Sequence, residues 1–111
     1  MKFFNIKDTF KGWFVGNFPE SILQTTTCEL AYKTYKAGDC ESKHFHAIAN
    51  EVTLIITGKC TFFLSDGKSI ELVKGQIILI EPNETVMFLA NEDTETVVLK
   101  IPSVIGDKYL T

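Results

Sequence analysis

The sequence predicts a single all-β domain, a sandwich or closed barrel, on three observations. Short β-like runs recur at steady spacing, turn residues separate them, and helical periodicity is almost absent. Nine phenylalanines in 111 residues add weight, because large aromatics favour strands and contribute much buried area each. A chain of this length closes one hydrophobic core but not two, so one domain over residues 1–111 is expected.

Residues 1–26 mix lysines, an aspartate and aromatics and are expected to pack on the barrel or on a partner. Residues 27–101 carry the barrel core. The first run, Cys28 to Lys36, ends at Ala37-Gly38-Asp39. Val52 to Thr57 and Cys60 to Ser65 flank Gly58-Lys59, which reads as a tight hairpin turn with glycine first. In that register Thr57 faces Cys60 and Ile55 faces Phe62. Asp66-Gly67 turns the chain into Lys68 to Leu72, Lys74-Gly75 precedes Gln76 to Glu81, and Pro82-Asn83 precedes Thr85 to Ala90. Thr94 to Ile101 is closed by Pro102, leaving residues 102–111 as a C-terminal tail. Gln76 to Glu81 and Thr85 to Ala90 are apolar on both faces, where a solvated barrel wall alternates. Cover by Phe10, Trp13, Phe14 and Phe18, or by a second subunit, is expected. Ile78, Ile80, Val86 and Phe88 are the residues expected at a homodimer contact.

Eleven basic against fourteen acidic residues give a net charge of −3 without any basic run, which argues against nucleic acid and anionic membrane as partners. No segment approaches the ~20 apolar residues that span a bilayer, and residues 1–19 hold no apolar stretch of signal-peptide length, so the cytoplasm is expected. Cys28, Cys40 and Cys60 are an odd count without paired spacing and read as free thiols, buried or half-buried.

The chemistry-bearing cluster is His44-Phe45-His46 with Glu51. These are the only histidines in the chain. On a strand, residues two apart project from one face, so both imidazoles reach one point. Ala47 to Asn50 can turn the chain so that Glu51 arrives from the next strand. Two histidines and a carboxylate with open positions suit non-haem Fe(II), and Zn, Ni, Mn and Co are equally admissible as the one divalent transition metal.

The chain here resembles the cupin family. That family's first motif runs glycine, five residues, His-x-His, three or four residues, glutamate, six residues, glycine, and Gly38, His44, His46, Glu51 and Gly58 match each fixed position. The resemblance implies a jelly-roll barrel with a metal held inside by His44, His46 and Glu51. The second motif matches in part: Gly75, Pro82 and Asn91 are in place, Glu84 stands for a glycine, and Met87 stands where the fourth ligand, a histidine, is expected. A thioether suits Cu(I) better than borderline divalent ions. Either a three-ligand site with water in the vacated position or a pocket without metal follows. Glu84, three residues from Met87, falls on the opposite face of an extended strand. Cys60 shares a face with Glu51 in the hairpin register but lies on the order of 20 Å away at about 3.3 Å per residue, and reads as core filler.

No phosphate-cradling glycine loop, nucleophile elbow or Cys-x-x-Cys is present. The expected ligand is a small molecule. A metal-dependent oxygenase or isomerase, a binding cupin without turnover, and a metal-free sugar-nucleotide isomerase or epimerase using Tyr32 or Tyr35 all remain open.

Overall fold

The computed structural model describes residues 1–111. Its strands are β1 (Trp13–Gly16), β2 (Leu23–Gln24), β3 (Glu29–Tyr35), β4 (Cys40–His46), β5 (Asn50–Thr57), β6 (Lys59–Leu64), β7 (Ser69–Val73), β8 (Ile77–Ile80), β9 (Val86–Ala90), β10 (Thr94–Ile101) and β11 (Lys108–Leu110). They form a six-stranded sheet in the order β2-β1-β3-β10-β5-β8 and a five-stranded sheet in the order β11-β4-β9-β6-β7. The one helical element is a 3-10 turn at Ile6–Asp8, and no helix is long and apolar enough to cross a membrane. The expected runs coincide with β3 and β5 to β10 within a residue or two, which is the ordinary uncertainty of an element's end.

From β3 to β11 the chain changes sheet at every connection except β6 to β7. The Gly58-Lys59 hairpin is therefore corrected. Thr57 pairs with Glu95, and Cys60 pairs with Leu72 and Ala90. Gly58 turns a corner between sheets with φ +91, and a Cβ there would overlap the Asp93 carbonyl oxygen and Thr94. A glycine-first turn reads alike whether its strands fold together or part. The hairpin belongs one turn later, at Asp66-Gly67, where Asp66 Oδ1 accepts from the Lys68 amide at 2.9 Å.

Ile55, Cys60, Phe62, Leu72, Ile80, Val86, Phe88 and Ala90 form the core, at the end of the barrel where β6, β7 and β9 face β5 and β8. Ile80, Val86 and Phe88 thus point inward, which corrects their assignment to a dimer contact. The opposite parity is the exposed one: Ile77 is 62% and Leu79 55% exposed. The aromatic N-terminal segment does not cover them. It pairs through β1 with β3, across the six-stranded sheet from β8. Gly12 permits this, since a Cβ there would overlap the Tyr32 carbonyl oxygen. The outward face of this sheet carries two apolar rows, Leu30–Leu99–Val52–Leu79 and Tyr32–Val97–Leu54–Ile77, each residue the cross-strand partner of the next.

The expected tail supplies β11, which pairs with β4 beside both histidines. Asp107 anchors it. Its carboxylate accepts from the amides of Ala47, Ile48 and Ala49 at 2.9 to 3.2 Å. Burial opposes the charge, but these three amides hold the Asp107 carboxyl below the usual range.

Candidate metal and ligand site

His44 and His46 are buried on the inward face of β4, as a period of two requires. Their ring centroids lie 5.2 Å apart with the planes at 82°. Two imidazoles bound to one ion at about 2.1 Å have ring centres on the order of 5 Å apart, so the pair is spaced for a shared metal. His44 Nδ1 lies 2.7 Å from the Ser42 carbonyl oxygen. A carbonyl only accepts, so Nδ1 carries the proton and Nε2 keeps a lone pair. His46 Nε2 is buried without any hydrogen-bond partner.

Burial lowers the His44 pKa, against the opposing pull of the Ser42 carbonyl. It lowers that of His46 to about 4, helped by the Lys100 ammonium. Both rings are therefore neutral at neutral pH, the form that ligates metal. The turn after His46 is fixed twice, by Asp107 and by the Asn83 amide, which donates to the His46 carbonyl at 2.6 Å.

Glu51 faces inward from β5, in the opposite sheet. Burial raises its pKa, and Lys100 pulls it back. Lys100 is its cross-strand partner and also the partner of Glu29, so a Glu29–Lys100–Glu51 row crosses the wall. No trio of His, Cys, Asp or Glu side chains converges on one point. The histidine pair fits an ion by spacing; His44 lines the main cavity with Glu51, His46 lines the smaller adjoining pocket, and Glu51 does not close on either.

The cavity encloses about 350 Å³. Phe10, Trp13 and Phe18 of the N-terminal segment line it, and Phe62 and Phe88 form its apolar floor. Glu20, Glu29, Lys33, Glu41, Lys100 and Lys108 also line it, six charged residues that the sequence reading did not single out. Glu41 stands three residues before His44, an offset that points outward on a regular strand. A bulge between them turns both inward. Glu41 accepts from Lys33 Nζ at 2.9 Å and from the Tyr35 hydroxyl at 3.1 Å. Burial would raise its pKa, and Lys33 holds it below the usual range. Burial, then Glu41, pushes Tyr35 far above its ordinary value, so it stays a phenol. Lys33 and Lys100 were legible by parity, since Lys100 shares its face with Thr94, Thr96 and Val98. Lys108 became a cavity residue only through β11.

Met87 is corrected as well: it is 36% exposed and does not line the cavity, whereas Val86 and Phe88 on either side are buried. Val86 is the residue paired with His44. Glu84 closes its own turn by accepting from the Glu81 amide at 2.7 Å. Cys60 is core filler, as expected, though its true partners are in another register, and burial raises its thiol to about 11. Cys40 is exposed rather than half-buried, and all three cysteines are free.

No protein-family model and no curated protein matches the chain. Solved structures do. An uncharacterised conserved protein with a double-stranded β-helix domain from Klebsiella pneumoniae superposes with TM-score 0.76 at 16% identity, covering 99% of this chain and 91% of that one. The DMSP lyase DddQ from Ruegeria pomeroyi gives TM-score 0.76 at 15% identity over 89% of this chain, which spans about half (49%) of that enzyme. A cupin-2 domain protein from Shewanella frigidimarina gives TM-score 0.63 at 18% identity, covering 72% and 76%. Likeness at such identity is one of fold, and the chain has the double-stranded β-helix fold of the cupin proteins.

Proposed function

We propose that the chain binds a small molecule in its barrel cavity beside one divalent transition metal, with His44, His46 and Glu51 as the protein donors. The buried, unpartnered Nε2 of His46 supports this most strongly. An uncompensated buried polar atom costs about 1–3 kcal/mol, and a metal bond to that nitrogen would remove the cost. A bound ion of this kind supplies Lewis-acid polarisation of a ligand oxygen. The protein's own share is to hold both imidazoles neutral, to fix the turn after His46, and to line the cavity with Phe10, Trp13 and Phe18. A metal-dependent oxygenase or isomerase and a binding cupin without turnover both use this arrangement. The metal-free sugar-nucleotide isomerase reading is weaker, because Tyr32 faces outward and Tyr35 is held protonated by burial and then by Glu41, so neither offers a base.

Tag-free protein stripped with chelator and titrated with Zn(II) or Ni(II) against a competing indicator tests this reading. The wild type is expected to take up one ion. His44→Ala and His46→Ala are expected to lose it and keep their β circular dichroism. No uptake by the wild type overturns the metal site, and loss of β structure in either metal-free variant makes the histidines structural.

The same reading includes a homodimer through the outward rows of the six-stranded sheet. Eight contiguous side chains, exposed at Ile77 and Leu79 and half-buried elsewhere, make an apolar patch of the kind that marks a contact between copies. Sedimentation is expected to show a dimer for the wild type and a folded monomer for Leu79→Asp. A wild-type monomer at micromolar concentration refutes it.

A further inference from the structure

We propose that Lys100 and Lys108 form an oxyanion anchor, and that the ligand of this cavity is a small organic acid with its carboxylate or phosphate between the two ammonium groups. This rests on the small-molecule reading above and adds the chemical class.

The two lysines come from opposite walls, Lys100 from β10 of one sheet and Lys108 from β11 of the other. Both line the main cavity and a smaller adjoining pocket of about 240 Å³, so they stand where the two spaces meet. Phe18 and Glu29 are the other residues common to both. Neither lysine takes part in an ion pair; the pairs present are Lys33–Glu41 and Lys59–Glu71. Of the acids lining the cavity, Glu41 holds Lys33 and Tyr35, Glu29 accepts from Ser103 Oγ at 3.0 Å, and neither Glu20 nor Glu51 pairs with a lysine.

Lys100 is the sharper case. Its ammonium sits 4.8 Å from the Trp13 ring centroid, on an aromatic face rather than on a carboxylate. Lys33 approaches the same ring at 5.5 Å. Lys100 stands between Glu29 and Glu51 in its cross-strand row, yet closes to an ion pair with neither. Lys108 also stands opposite His46 across the β4–β11 ladder. An acidic group between Lys100 and Lys108 would pair with both ammonium groups, leaving the rest of the ligand against Trp13 and Phe18. A divalent ion on the histidines would add positive charge at the same place and strengthen the anchor. The chain contains no arginine, so recognition by point-charge ammonium groups is the means available to it.

Trp13 is the sole tryptophan, so its fluorescence reports on this spot directly. Glucuronate and glucose 6-phosphate, each against glucose, and benzoate against benzyl alcohol are titrated into metal-free and Zn-loaded protein. Saturable quenching by the acids and not by their neutral partners is expected. Glucuronate without glucose 6-phosphate makes the group a carboxylate, and the reverse makes it a phosphate. Lys100→Met and Lys108→Met each keep the aliphatic stem and are expected to weaken acid binding by about ten-fold or more. Lys100→Arg is expected to recover most of it, and Lys68→Met, in an exposed turn, to change nothing.

Equal binding of acid and neutral partner, undiminished affinity in Lys100→Met, or no saturable response to any acid overturns the anchor. Zn uptake is measured on each variant alongside. Uptake with no acid response sinks the anchor alone, while acid binding without Zn uptake sinks the metal alone.

Discussion

Replacing Asp107 tests how the C-terminal segment builds the site. One carboxylate accepts from three consecutive amides, Ala47, Ile48 and Ala49, in four contacts of 3.0, 3.1, 3.2 and 2.9 Å. In Asp107→Ala the Ile48 amide, on an exposed residue, finds water. Ala49 is only 3% exposed, and its amide is left bare. A bare buried donor costs about 1–3 kcal/mol, and each charge-assisted bond contributes about 1.5–3 kcal/mol before non-additivity. About 3 kcal/mol of lost stability follows, or roughly 15 °C in Tm at about 5 °C per kcal/mol for a domain of this size. Asp107→Asn keeps one acceptor oxygen and is expected to lose about half as much.

The pH dependence carries a sign. The folded Asp107 carboxyl titrates below its unfolded value of about 3.9, so its contribution is complete above that pH and fades as pH falls through the folded pKa. The gap between wild type and Asp107→Asn is therefore expected to be constant from pH 7 to about 5 and to close below about 4. His46, whose folded pKa is lowered to about 4, destabilises both proteins alike as pH falls from about 6.5 to about 4; below that the two part, because Asp107 itself raises the His46 pKa. Thermal and urea unfolding by circular dichroism measure these differences. A loss below about 1 kcal/mol for Asp107→Ala would mean that water replaces the carboxylate and that β11 holds the loop unaided.

Met87→His is expected to leave Zn affinity unchanged, because residue 87 lies outside the cavity; chelator competition showing a gain of ten-fold or more would place it inside. Among the thiols, exposed Cys40 is expected to react promptly with a maleimide under native conditions. Cys60, fully buried with its pKa raised to about 11, is expected to react only on unfolding, and rapid native labelling at Cys60 would contradict the core assignment.

What the sequence discloses here is local parity, and what it hides is which strands meet. The His44–His46 pair and the inward Lys100 follow from a period of two along one strand, a property no neighbour can alter. Glu41 was hidden because a bulge against β9 shifts that period by one, and a bulge is a fact about pairing. The Gly58 corner was mistaken for a hairpin on the same ground. Its positive φ demands glycine in either topology, whereas its contact with Asp93 exists only because β10 lies beside β5.

Met87 carries the point into the chemistry. Counting from Pro82 sets residue 87 in a ligand position, but the facing of β9 is set by its register, in which Val86 pairs with His44 and Phe88 with Glu41 and Phe62. A slip of one residue exchanges the faces. The β9 residues that do face inward are aliphatic and aromatic, so no donor comes from that strand whatever stands at 87. His44, His46 and, on β5, Glu51 would be the residues to hold an ion, which would polarise a ligand oxygen, while Lys100 and Lys108 would receive the ligand's acidic group.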